Sequence, residues 1–213
     1  MNILNEISLK LQQGNAKAVK ELVQQAIDEG YAAEEILEQG LMAGIDVIGE
    51  KFKNNEIYVP EVLIAARAMN AGTVLLKPLL VSDNVQAKGK VVLGTVKGDL
   101  HDIGKNLVRM MMEGKGLEVI DLGIDVPVDK FIETAIQENA QIIACSALLT
   151  TTMNEMKLIV EAAQEAGIRD KVKIMIGGAP VTDQFRESIG ADLYAPDAAS
   201  AAEVAVQACA GMS

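Results

Sequence analysis

The chain has no tryptophan and only three phenylalanines and three tyrosines, so aromatic residues make up 3% of its 213 positions. Recognition by stacking, on which binders of single-stranded nucleic acid and sugars rely, therefore has little to work with. Two cysteines, Cys145 and Cys209, are too few for a disulfide framework or a multi-cysteine metal site, and both are expected to be reduced thiols. No run of eighteen apolar residues occurs, and Met1-Asn2-Ile3-Leu4-Asn5-Glu6 lacks the basic flank and apolar stretch of a secretory signal. A cytoplasmic protein with no membrane partner is expected. Positive charge is also scarce: 19 Lys and Arg against 30 Asp and Glu leave a net charge of -11, which argues against a nucleic-acid partner because phosphate binding needs clustered cations. What is abundant is aliphatic: apolar residues make up 50%, enough for a sizeable core packed by Ala, Val, Ile, Leu and Met.

Two textures divide the chain. From residue 2 to about 83, apolar residues recur at helical spacing: Leu4, Ile7, Leu11; Val19, Leu22, Val23, Ala26; Ile36, Leu37, Leu41, Ile45, Ile48, Phe52. Gly14-Asn15 and Glu29-Gly30 fit helix ends, and Pro60 opens a further helix reaching about Leu80, so residues 1–83 read as a four-helix bundle. Residues 84–89 are polar and unpatterned, a linker. From Lys90 onward, β-branched runs at 90–96, 118–122, 141–146 and 172–176 alternate with helical stretches near 104–113, 128–138, 152–166 and 183–189. With a short strand near Leu193 and a last helix over 198–209, residues 90–213 predict an α/β, flavodoxin-like, Rossmann-type domain with a five-stranded parallel sheet.

Ligands of such sheets bind at the carboxyl ends of the strands. After the first strand comes Gly98-Asp99-Leu100-His101-Asp102-Ile103-Gly104-Lys105-Asn106, after the third Ser146-Ala147-Leu148-Leu149-Thr150-Thr151-Thr152, and after the fourth Gly177-Gly178-Ala179-Pro180. His101 is the only histidine. One imidazole nitrogen can bind a metal while the other donates to a carboxylate, and Asp99 is placed to accept. A single histidine cannot hold zinc or iron without a carboxylate cluster, but it suffices for a metal already held equatorially by a macrocycle. The glycine pair reads either as a tight turn or as a place where a nucleotide-like group slides against the backbone, and the threonine run can cap the next helix, line a site, or do both. Cys145 reads as a core residue, since no second histidine exists to activate it.

The order Asp99-x-His101-x-x-Gly104, then 41 residues, Ser146-x-Leu148, then 28 residues, Gly177-Gly178 resembles the cobalamin-binding signature. The first third is similar to the helical cap of methyltransferase corrinoid proteins in Met42-Ala43-Gly44-Ile45-Asp46-Val47-Ile48-Gly49-Glu50-Lys51-Phe52 and Tyr58-Val59-Pro60-Glu61, so the resemblance spans essentially the whole chain. It implies a cobalamin or related corrinoid, cycling between methylcobalamin and cob(I)alamin. The dimethylbenzimidazole tail would leave cobalt and His101 would ligate the metal from below. Asp99 would hydrogen-bond the imidazole, and Thr152, where methionine synthase carries Ser, would complete a relay able to take up or release a proton. Ser146, Leu148, Thr150, Gly177 and Gly178 would line the tail's channel, with Asp102, Ile103 and Gly104 in the His101 loop at its mouth. Phe52 and Val59 match positions that press on the corrin's upper face.

The function so implied is a methyl carrier rather than a stand-alone enzyme. It would serve a substrate-specific methyltransferase and a second methyltransferase acting on tetrahydrofolate or coenzyme M, with a reductive activation protein as a further partner. Two other readings share the His101 loop: the cobalamin-binding subunit of an adenosylcobalamin-dependent mutase, which needs a substrate barrel over the corrin, and a cobalamin-dependent regulator, which needs a basic DNA-binding face.

Overall fold

A computed structural model of the protein describes residues 2–83 and 86–212 and divides the chain into two compact units, residues 1–86 and 87–213. The first unit is helical: α1 (Ile3–Gln12), α2 (Ala16–Asp28), α3 (Ala33–Glu35) running through a π-helical stretch (Ile36–Met42) into α4 (Ala43–Lys53), and α5 (Val59–Ser82). Local chemistry sets the ends. Asn2 and Asn15 cap α1 and α2 by accepting the Leu4 and Ala18 N–H groups, and Glu61 reaches back to accept the Tyr58 N–H ahead of α5. Pro60 sits in the first turn of α5, where its missing N–H would have had no partner in the helix.

The apolar periodicity becomes a dry interior: Ile7, Leu11, Val19, Val23, Ile36, Val62, Ala68 and Leu76 are fully buried. Each large aliphatic residue so buried contributes about 2 kcal/mol against solvent exposure. Helix α5 is, among the described residues, long and apolar enough by length and composition to cross a membrane. Glu61, Arg67 and Lys77 interrupt it, however, and its Val62, Ala65, Ala68, Met69 and Leu76 are buried within the bundle.

The second unit is a parallel sheet of five strands, β1 (Lys90–Thr95), β2 (Glu118–Asp121), β3 (Ile142–Ser146), β4 (Lys173–Gly177) and β5 (Leu193–Tyr194), in the order β2-β1-β3-β4-β5. Between and after them run α6 (Ile103–Gly114), α7 (Val128–Glu138), α8 (Asn154–Glu165), α9 (Asp183–Ile189) and α10 (Ala198–Ala210). The doubly wound expectation holds, with small boundary differences. Val96 forms only an isolated bridge to Val126, and α8 begins at Asn154 instead of 152 because residues 150–153 form turns. Of the expected linker 84–89, Asn84 and Val85 lie outside the described residues, while Lys88 and Gly89 already make backbone bonds to Gly116 and Glu118 at the start of β2.

The strand order reverses between β1 and β3, whose neighbouring chains leave in opposite directions. The loops that follow these two strands therefore diverge and open a crevice. Beneath it, Val92, Ile143, Phe131, Ile159 and Ile174 form part of a continuous apolar core, so the loops rise from a rigid base.

Candidate functional site

Asp99 is the centre of the crevice. It lies in the loop after β1, four residues past Thr95, and its side chain is wholly inaccessible to solvent. One carboxylate oxygen accepts the His101 backbone N–H at 3.1 Å and meets His101 Nδ1 at 2.7 Å. The other accepts the Leu148 N–H at 2.8 Å, the Leu149 N–H at 3.1 Å and the Thr152 hydroxyl at 2.9 Å. Burial by itself drives this acid upward, but the hydrogen bonds from His101, Leu148 and Leu149 prevail and hold its carboxyl well below the usual carboxylate range.

An ionised carboxylate can only accept, so His101 Nδ1 carries a proton toward Asp99, and Nε2 is the ring nitrogen that Asp99 does not engage. The ring is half-exposed, 52% of its side-chain surface being accessible. The Thr152 hydroxyl has two acceptors at 2.9 Å, Asp99 and the Leu149 carbonyl, for its single proton. The anionic acceptor makes the stronger bond. Helix α8 receives no side-chain cap from the threonines, so of the two roles open to Thr152 the structure supports the contact with Asp99.

The glycines separate into different roles. Gly178, at φ +136°, cannot carry a Cβ, which would collide with the Ala147 backbone carbonyl. It is required by the packing of the β3 and β4 loops. At Gly177 a Cβ would meet only the Ala195 carbonyl oxygen at 4.0 Å, and at Gly104 nothing within 4 Å, so both leave open surface at the strand ends. Ser146 is half-buried at the end of β3, and Leu148, Thr150, Asp102 and Ile103 are exposed on the same two loops. The structure thus brings Asp99, His101 and Thr152 into one hydrogen-bonded group. Phe52 and Val59 belong to the helical unit, where both are half-buried on either side of the turn between α4 and α5.

Sequence reasoning missed several supports. Thr95, buried in β1, donates its hydroxyl to the His101 carbonyl at 2.9 Å. Lys105 is 3% exposed and its ammonium lies 2.7 Å from both Asp121 carboxylate oxygens, with Arg109 adding a third contact at 3.1 Å. Asp121 in turn accepts the Gly123 N–H at 2.9 Å, tying α6 to the end of β2. The available signal was position, since Asp121 closes a strand and Lys105 opens the helix after the histidine loop. Cys145 is buried beneath this layer, where desolvation pushes its thiol up to about 12, so it is inert as a nucleophile.

A switch-point crevice with a histidine held by a buried carboxylate defines a domain that takes a large cofactor at its strand ends. The residues fit a corrinoid. Leu100, Ile103, Leu148 and Leu149 expose apolar surface on the loops that carry and face the half-exposed imidazole, whose Nε2 is not engaged by Asp99, and Gly177 and Gly104 leave space that a side chain would fill.

Comparison with known proteins agrees with that fit. Residues 89–205 match a B12 binding domain family, and residues 3–77 match a second family also described as a B12 binding domain. A corrinoid protein of Desulfitobacterium hafniense (strain Y51) is 39% identical over 208 residues, covering 96% of each chain. Trimethylamine corrinoid protein 1 of Methanosarcina acetivorans is 46% identical over 180 residues, covering 84% of this chain and 83% of the relative. A solved methanol:cobalamin methyltransferase complex from Methanosarcina barkeri matches with a TM-score of 0.86 at 30% identity, covering 98% of this chain and 80% of that one. The chain belongs to the B12-binding corrinoid proteins.

Proposed function

We propose that this protein carries a methyl group on a cobalamin cofactor, receiving it from a substrate-specific methyltransferase and delivering it to a second methyltransferase that acts on tetrahydrofolate or coenzyme M. The bound corrinoid supplies a cobalt that takes up and releases the methyl group; the chain supplies the ligand, the pocket and the control of a proton. The observation that carries the reading is the buried Asp99, which meets His101 through Nδ1, so that Nε2 would be the nitrogen to ligate the metal.

Asp99 receives five hydrogen bonds and stays anionic, so the proton of this relay is held at His101 Nδ1 and Thr152 acts as a donor that steadies the acceptor. Ser146, Leu148, Thr150 and Gly177 would hold the cofactor's tail, with Gly178 keeping the backbones close enough to frame it. Asp102, Ile103 and Gly104 would border its entrance, and Phe52 and Val59 of the helical unit would help to keep water from the cofactor.

The B12-binding match over residues 3–77 accounts for the first third of the chain as part of the cofactor module, which favours the carrier over a mutase subunit or regulator. A cytoplasmic setting, a methyltransferase partner and a reductive activator accord with this reading. The similar corrinoid protein and methyltransferase complex point the same way.

The test is electron paramagnetic resonance of the cobalt(II)-loaded protein. The parent should show splitting from one nitrogen that responds to 15N-histidine labelling, and His101→Ala should retain the corrinoid but lose that splitting. A His101→Ala protein with the parental spectrum and parental methyl transfer would sink the assignment.

A further inference from the structure

The loop after β2 makes no contact with the His101 ring in any hydrogen bond described above, yet it grips the backbone that carries the ring. The Asp125 carboxylate accepts the Gly98 N–H at 2.7 Å, and the Asp125 N–H donates to the Asp99 carbonyl at 3.0 Å. One residue therefore clasps Gly98 and Asp99 from both ends. The contact extends a short ladder, in which Thr95 N–H donates to Gly123 at 2.9 Å and Val126 N–H donates to Thr95 at 3.0 Å. At the turn of that ladder Asp125 takes φ +52°, a left-handed conformation that Asp, Asn and Gly adopt far more readily than other residues.

The two sides of Asp99 are thus held by different neighbours of β1. Its side chain is tied to the β3 loop through Leu148, Leu149 and Thr152, and its backbone is tied to the β2 loop through Asp125. With both ends fixed, the carboxylate has one position from which to meet the imidazole two residues on. Released at the backbone, the Gly98–Asp99 segment could shift while its side chain stayed anchored. The 2.7 Å contact to His101 Nδ1 would then lengthen or rotate.

We infer that Asp125 is a positioning residue for His101: its carboxylate and its amide together lock the Gly98–Asp99 backbone and thereby set the orientation in which the imidazole is presented. Only the cofactor arm of the test rests on His101 being the cobalt ligand. The arm on the cofactor-free chain stands by itself.

The experiment compares Asp125→Gly with Asp125→Asn in the full chain. Glycine accepts the left-handed backbone and removes only the acceptor, so the fold is retained and far-UV circular dichroism should be unchanged. In the cofactor-free protein, the Gly98 amide of Asp125→Gly should exchange about tenfold faster, as loss of a bond to a charged acceptor implies. The 15N resonances of the His101 ring should also move. Loaded with cobalt(II) cobalamin, the same variant should show a smaller fraction of molecules with the histidine splitting. Asp125→Asn keeps a carbonyl acceptor and a tolerated conformation, and should return exchange to within about threefold of the parent.

Parental exchange and parental ring resonances in Asp125→Gly would overturn the inference, as would an Asp125→Asn protein indistinguishable from Asp125→Gly. Should the cofactor-free arm behave as expected while the parent itself lacks the histidine splitting, the ligand assignment fails and the positioning role of Asp125 stands.

Discussion

The two units bury different kinds of side chain. Among the described residues, the buried polar or charged ones are Thr95, Asp99, Lys105, Thr134 and Thr152, and all five lie in the α/β unit; the buried residues of the helical unit are aliphatic, Met or Gly. A bundle closed by apolar contact tolerates small slips, because dispersion and burial have no direction. A loop that must hold one imidazole in one orientation needs directional bonds, and these survive only where their donors and acceptors are all matched. The helical unit therefore reads as a packed body, and the strand ends of the α/β unit as a positioned one.

The sharpest way to break that contrast is to add the same methyl group to each. Gly178→Ala places a Cβ on the Ala147 carbonyl at a backbone angle closed to alanine, and should cost about 4 kcal/mol or more, seen as a large fall in the denaturation midpoint. Gly72→Ala in α5 would meet only side-chain ends, Leu41 Cδ2 at 2.9 Å and Val19 Cγ1 at 3.2 Å, and should cost about 1–2 kcal/mol. Equal costs would show that the strand-end backbone is as yielding as the bundle.

Next in size is Lys105→Met, which leaves Asp121 with Arg109 and the Gly123 N–H alone and should cost about 2–3 kcal/mol at neutral pH by urea titration. It also carries a pH signature. Burial works upward on Asp121, but the hydrogen bonds from Lys105 and Gly123 and the nearby positive charges outweigh it, leaving its carboxyl below the ordinary value. A carboxylate depressed on folding contributes stability that is complete above its unfolded pKa and is lost as pH falls through the folded value. The parent should therefore lose stability more steeply than Lys105→Met on the acid side, and parallel acid limbs would count against the pair.

The smallest effect is expected at Thr152. Thr152→Val removes one donor to a carboxylate that keeps four others and should cost about 1–2 kcal/mol by the same titration, while Thr152→Ser keeps the hydroxyl and should recover at least half. A serine variant as unstable as valine would mean that the threonine methyl, not the hydroxyl, holds this corner.

Much of this was legible beforehand, for reasons that can be named. Helices and strands follow from periods of 3.6 and 2, so Leu4, Ile7 and Leu11 could be placed on one face, and the run from Lys90 in a strand, without coordinates. Asp99 and His101 stood out because a carboxylate two residues from a lone histidine in a glycine-bounded loop is already a local pattern. Thr152 came only through likeness to a family, since nothing within its own segment links it to a residue 53 positions earlier. Thr95 and Asp125 gave no such sign, because a threonine ending a strand and an aspartate in a turn are ordinary until the backbone shows whose N–H or carbonyl they face.

The order of residues alone determined the alternation of strand and helix beyond Lys90 and which loop bears the histidine, because each depends on neighbours within about two helical turns. Tertiary structure decided that β1 lies between β2 and β3, and hence that Asp99 is held from one side by Leu148, Leu149 and Thr152 and from the other by Asp125. Strand order is a property of how distant segments pair, and the hydrogen bonds that aim His101 exist only after that pairing is made.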